Sequence, residues 1–157
     1  YSNYLNFHST AYGTSDLAQI MESTVDRIVS LSLTGLASGR VYKDLLPFLI
    51  NKTFPCVVVS LLNATDTVVT ATNERSDSGY AIRCDIVMRV SQQDPDSLVG
   101  TYLDWREKIV DAFQNKSLPG ADMVFKTTIT PQESFSQERE GAQLFVSPFI
   151  IRAYVRR

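Results

Sequence analysis

The stretch from Ala142 to Val155 constrains the fold more than any other part of the chain. Taken at the two-residue period of a strand, one face carries Leu144, Val146, Pro148, Ile150, Arg152 and Tyr154. The other carries Phe145, Ser147, Phe149, Ile151, Ala153 and Val155. Both faces are largely apolar, so each needs a cover. A second run, from Tyr80 to Ser91, alternates more sharply. Tyr80, Ile82, Cys84, Ile86, Met88 and Val90 share a core-like face, while Ala81, Arg83, Asp85, Val87, Arg89 and Ser91 form a half-polar one suited to water or a polar partner.

Helical spacing predicts two helices. Over 16–32, Leu17, Ile20, Met21, Thr24, Val25, Ile28 and Leu31 make one apolar stripe, with Ser15 as N-cap and Asp16 in the first turn. Asp94-Pro95 opens the second helix as N-cap and first helical residue, and Leu98, Val99, Tyr102, Leu103, Arg106, Ile109, Val110 and Phe113 repeat along it. The β-branched run from Cys56 to Leu62 and the segment 122–130 read as strands, and Val41-Tyr42 as a short one. Residues 40–54 read as a connector broken by Pro47, 63–79 as a long hairpin connection in which Thr67 to Thr72 could extend the strands, and 131–141 as a polar loop. The order helix, strand, strand, helix, strand, strand implies a single α+β domain over 15–157. Its two layers are two helices on one face of a mostly antiparallel four-stranded sheet. Residues 1–14 hold Tyr1, Tyr4, Phe7 and Tyr12 and read as an N-terminal arm whose aromatics pack on this chain or a neighbour.

At 157 residues the chain suits one domain. Fifteen basic against seventeen acidic residues leave a charge of −2, which provides no global field for nucleic acid. No apolar run approaches the ~18 residues of a membrane span. The first residues carry no basic group ahead of an apolar block, unlike a signal peptide, so the Asn-x-Ser/Thr triplets at Asn51, Asn63 and Asn115 read as chance matches.

Chemistry is sparse. His8 is the one histidine and lies in the arm, and Cys56 and Cys84 fall in strands, so no metal-ligand set forms. The two cysteines are either buried hydrophobes or a cross-strand disulfide. Gly35-Leu36-Ala37-Ser38-Gly39 places its serine fourth rather than third, after a helix, and is no nucleophile elbow. Asp94 with Asp96 and Glu138 with Glu140 are carboxylate pairs, but the first has a capping role and the second sits in a polar segment. No catalytic residue, cofactor or metal is expected. Arg152, Arg156 and Arg157 around Tyr154 suit either phosphate contact or protection of a strand end.

The element order, with Gly39-Arg40-Val41-Tyr42-Lys43-Asp44-Leu45-Leu46-Pro47, Phe54-Pro55-Cys56-Val57-Val58-Val59, the Tyr80 to Val90 strand, the Asp94-Pro95 helix and the final Phe149 to Val155 strand, resembles the tail terminator (tail completion) proteins of tailed bacteriophages over residues 15–157. Related neck and head–tail joining proteins share much of this pattern. The resemblance implies a non-enzymatic virion protein, assembled in the host cytoplasm. It would form a ring, usually a hexamer, that caps the tail tube and meets the head–tail connector. DNA would pass through with only transient, non-specific contact, and no membrane is involved. Two helices covering one sheet face leave apolar strand surface for a sister copy. The expected subunit contacts are therefore Tyr4, Phe7, Arg83, Arg89, Phe149 and Ile151, with Asn73, Glu74 and Arg75 of the 63–79 connection reaching an adjacent ring or the tube. The competing readings are a head-side neck adaptor and a small-molecule-binding or enzymatic α+β domain with a loop-built site.

Overall fold

The structure, a computed structural model, describes residues 15–46, 49, 52–71, 76–90, 95–139 and 141–156. Helix α1 (Asp16–Ser30) begins as its sequence predicts: the Ser15 hydroxyl accepts a hydrogen bond from the Ala18 amide at 3.2 Å. Its buried stripe runs through Ile20, Met21, Thr24, Val25 and Ile28. Helix α2 spans Pro95–Phe113, and its predicted cap, Asp94, lies outside the described residues.

The sheet has six strands rather than four. They are β1 (Val41–Asp44), β2 (Cys56–Ala71), β3 (Ser76–Arg89), β4 (Val124–Pro131), β5 (Phe135–Arg139) and β6 (Ala142–Arg156). The order is β1-β2-β3-β6-β4, and β5 also pairs with β6. Every pairing is antiparallel except β1 with β2.

The two added strands are β1, whose Val41-Tyr42 core the sequence offers as a short strand, and β5; polar segments account for β5 and for the greater length of β2 and β3. The 63–79 connection is mostly strand: β2 continues to Ala71 and β3 begins at Ser76, with register shifts between Leu61 and Asp66 and between Val68 and Thr70. The polar segment 131–141 contains β5, which folds back on β6 across a turn where Gly141 has a φ of 77°. Its Ser-Gln-Glu-Arg composition is that of an edge strand that meets water, and charge there blunts edge-to-edge pairing. Strands β4 and β5 run in sequence along the same side of β6, interrupted at 132–134, where the Gln132 amide still bonds the Pro148 carbonyl at 2.9 Å.

Both helices pack on one face of the sheet. That core joins Ile20 and Ile28 of α1 and Trp105, Ile109 and Phe113 of α2 to Ile82, Cys84, Ile86, Phe149 and Ile151. The opposite face has its own small cluster of Leu49, Cys56, Val58, Val87, Leu144 and Val146, with Tyr42 and Phe54 against it. The chain between β1 and β2 therefore covers part of the helix-free face. Its later part is tied back to β1. The Thr53 amide donates to the Tyr42 hydroxyl at 3.0 Å, and Lys52 lies 5.1 Å from the Tyr42 ring centroid and 2.8 Å from an Asp44 carboxylate oxygen. This last contact is an ion pair by distance whose Asp44 oxygen lacks hydrogen-bond alignment.

The packing corrects two expectations. Phe149 and Ile151 are 0% and 1% exposed beneath the helices of their own subunit, so they are not offered to a sister copy. The apolar character of both β6 faces is explained inside one chain, by helices on one side and the β1–β2 connector on part of the other. Along α2, the buried column is Leu98, Tyr102, Trp105, Ile109 and Phe113, whereas Val99 and Leu103 of the predicted stripe are 55% and 53% exposed. Trp105 escaped the sequence pattern because it sits between Asp104 and Arg106.

Candidate interaction surface

Side chains on the helix-free face follow from the alternation of β3 and β6. Arg83 and Asp85, two residues apart on one strand, point the same way, and Arg83 Nε donates to Asp85 Oδ1 at 2.8 Å. The Arg83 side chain keeps 29% of its surface exposed and that of Asp85 only 1%. Asp85 stands between Val58 and Pro148 across the sheet. Burial pushes the Asp85 carboxyl above its usual range, and the Arg83 hydrogen bond and charge pull it part of the way back. Nearby Ser60 is fully buried with no hydrogen-bond partner for its hydroxyl oxygen. Arg83, Gln132, Pro148 and Ile150 border a shallow depression on this face. Further along, Arg152 is half-buried, and Lys126 lies 5.1 Å over the Tyr154 ring.

Asp85 supplies a pH prediction. A carboxyl whose native pKa is raised binds protons more readily folded than unfolded, so its stabilisation is fully present below the unfolded pKa and lost as pH rises through the native one. Compared with Asp85→Asn, the wild-type chain is expected to gain stability as pH is lowered from neutrality toward the unfolded aspartate value of ~3.9. Urea midpoints of both proteins, measured side by side, check it; a wild-type midpoint that falls relative to that of Asp85→Asn on acidification contradicts the assignment.

The cysteines are separated by the sheet itself. Cys84 belongs to the helix-side core and Cys56 to the opposite cluster, so they point away from one another and both are free. The disulfide alternative is thereby settled against. Burial pushes the Cys56 thiol up to about 12 and the Cys84 thiol up as well, which keeps both protonated and unreactive near neutrality. Among the described residues, no group of three or more His, Cys, Asp or Glu side chains is placed to hold a metal ion, and no helix is long and apolar enough to cross a membrane.

A second surface lies at the start of α2. Val99 and Leu103, one turn apart, form an exposed apolar column, and Val90 beside them is 41% exposed. Met88, Val90, Leu98, Val99, Tyr102 and Phe145 line an apolar groove of about 200 Å³. Its floor is rigid: Tyr102 meets the Phe145 ring edge-on at 5.0 Å and shares a 2.7 Å hydrogen bond with Ser147. Sequence reasoning selected these α2 residues as core. Spacing alone does not separate the exposed Val99 and Leu103 from the buried side of the helix; they stand in the sequence only as surplus apolar residues beyond one stripe.

The six predicted subunit contacts thus divide four ways. Phe149 and Ile151 are internal, Arg83 is held by Asp85 on the helix-free face, and Arg89 is exposed at the end of β3. Tyr4 and Phe7 lie outside the described residues, as do Asn73, Glu74 and Arg75. Among the described residues, Phe149 and Ile151 lie in the helix-side core and Arg83 on the opposite face, so these do not share one site.

No protein-family model matches this sequence, and no curated protein matches it. Among solved structures, the chain is similar to one from the virion of a native gene transfer agent (GTA) particle, with a TM-score of 0.52 and 11% sequence identity. The superposition covers 92% of this chain and 100% of that one. At that identity the likeness is one of fold.

Proposed function

We propose that this protein is a structural component of a phage-like virion, acting through contacts between copies and with neighbouring virion proteins. The observation that carries this reading is the fold likeness to a gene transfer agent virion chain, matched over its whole length. Within that reading the protein is a tail terminator: a ring, hexameric by family resemblance, that caps the tail tube, joins it to the head–tail connector and leaves a channel for DNA.

A closed ring uses a heterologous interface, in which one surface of each subunit meets a different surface of the next. The Val90, Val99 and Leu103 column is the apolar half of that contact, since exposed apolar residues clustered on a rigid floor mark association surfaces. Arg89 supplies a polar contact at the same end of the sheet. Tyr4 and Phe7 of the arm engage the neighbouring copy, and Asn73, Glu74 and Arg75 reach the adjacent ring or the tube.

The experiment is mass in solution, alone and with tail tubes, for the wild type and for Val99→Asp combined with Leu103→Asp. Both substitutions sit on solvent-facing helix positions, where stability changes usually stay within about 0.5 kcal/mol. The expected outcome is a wild-type ring and a folded variant that assembles at least tenfold less readily. A wild-type chain that remains monomeric beside tail tubes overturns the proposal. Imaging of intact particles separates a ring at the tube end from a head-side adaptor.

A further inference from the structure

Three cations line up across the helix-free face of the sheet. Arg83 of β3 pairs with Ile150 of β6, Arg152 stands two residues further along β6, and Lys126 of β4 pairs with Tyr154, two residues further again. Alternation puts Arg83, Arg152 and Tyr154 on one face, and Lys126 lies over the Tyr154 ring. Each step crosses one strand spacing and two residues of rise, about 8 Å, so the charges form a diagonal row. Asp85, the carboxylate on this stretch of β3, is 1% exposed and taken up by Arg83. Among the described residues, no carboxylate forms an ion pair with Arg152 or Lys126.

The complementary charge is on the other layer. Glu22 and Asp26, one turn apart on α1, and Asp122 border a depression of about 330 Å³ together with Gln19, Ser23 and Gly120. Gly120, with a φ of 90°, comes so close to α1 that a Cβ there would stand 2.9 Å from Ser23 Oγ, and this approach sets Asp122 beside the helix. Asp26 and Asp122 are exposed and Glu22 is half-buried.

We infer, on the basis of the ring proposed above, that the Arg83, Arg152 and Lys126 row of one copy docks on the Glu22, Asp26 and Asp122 patch of the next. The two surfaces lie on opposite layers, so a subunit cannot join them itself. A two-fold dimer shows one side of each subunit to its twin and cannot engage both layers at once. A front-to-back contact, repeated from copy to copy, satisfies both. Opposite charge at the contact also sets its register and suppresses wrong docking. The other class of occupant for the row is a polyanion such as DNA. The chain carries the matching charge itself, however, and its net charge of −2 provides no broader attraction to a polyanion.

The test is mass in solution of two charge-reversed chains, with circular dichroism to establish that each is folded. One carries Lys126→Glu and Arg152→Glu; the other carries Glu22→Lys, Asp26→Lys and Asp122→Lys. Arg83 is kept, because its loss strands Asp85. Each chain alone sets like charges together and is expected to assemble at least about tenfold less readily than the wild type. Mixed in equal amounts, the two restore assembly to near the wild-type level, because each then meets an opposite surface at both contacts. Lys126→Gln with Arg152→Gln, a milder change that keeps the test open if a reversed chain does not fold, gives a smaller loss, and wild-type assembly weakens as salt is raised. A mixture no better than its parts, altered chains that assemble like the wild type, or a salt-independent wild-type ring overturns this docking and leaves the ring reading standing. A wild-type chain that stays monomeric beside tail tubes overturns both. Loss of binding to a mixed-sequence oligonucleotide in the Lys126 and Arg152 variants, with assembly unchanged, overturns the docking in favour of a polyanion.

Discussion

Phe149→Asp is expected to leave the chain unfolded, not to release folded monomers from an assembly. Phe149 is 0% exposed, paired across the sheet with Cys84 on one side and Pro131 on the other. Above it, the Arg106 guanidinium lies 5.9 Å from the ring centroid. Truncating a buried Phe costs about 3–5 kcal/mol through lost transfer energy and the cavity left behind. A carboxylate in the same place adds several kcal/mol, because it is removed from water without a designed partner. The sum reaches the whole stability of an ordinary domain, about 5–15 kcal/mol. Ile151→Asp is expected to behave alike, being 1% exposed in the same core. Far-ultraviolet circular dichroism and the soluble fraction after expression check this. A soluble, cooperatively folded Phe149→Asp monomer would show that β6 is not sheathed within the subunit. Set beside the Val99 and Leu103 double variant, the experiment separates loss of folding from loss of assembly.

Trp105→Ala is expected to be the most destabilising of the conservative truncations on α2. The indole is fully buried among the helix-side core residues, and its Nε1 donates to the Thr34 carbonyl at 2.8 Å. One side chain thus anchors α2 to the sheet and also fixes the turn that follows α1. Losing its volume costs about 3–5 kcal/mol, and leaving the Thr34 carbonyl without its donor adds about 1 kcal/mol or more. At roughly 2–4 °C per kcal/mol for a chain of this length, Tm should fall by about 8–20 °C. Trp105→Phe keeps most of the packing and should recover over half of that loss. Melting curves followed by circular dichroism measure both. A fall of under about 3 °C in Trp105→Ala would contradict the packing described. The residue is also the chain's one tryptophan, so wild-type fluorescence reports directly on this junction during unfolding.

Much of the architecture was legible in the residues. The α1 stripe, its Ser15 cap and the alternation of β3 and β6 each rest on a period that one element satisfies by itself. The α+β class with both helices on one sheet face follows from those periods, because amphipathic faces have few ways to be buried together. Polar strands were legible only in part: the threonines at 67–72 suggest an extension of β2, whereas β5 reads as loop. β5 and the outer parts of β2 and β3 carry loop-like residues, and they are strands because neighbouring backbone supplies their hydrogen bonds.

The candidate surface was the least visible part. Helix α2 carries two adjacent apolar columns, one through Leu98, Tyr102 and Ile109 and one through Val99 and Leu103, and helical spacing favours neither. Likewise the two apolar faces of β6 look equivalent in sequence, and only the course of the β1–β2 connector shows that one subunit covers Leu144 and Val146 by itself. Local periodicity thus determined which residues are apolar together and along which elements, because that depends only on the geometry of one helix or strand. Which apolar columns are hidden and which remain exposed was decided by the tertiary structure, because burial depends on what the rest of the chain brings across from far away in sequence: Thr34 to Trp105, Leu49 to β6, and Ser147 to Tyr102.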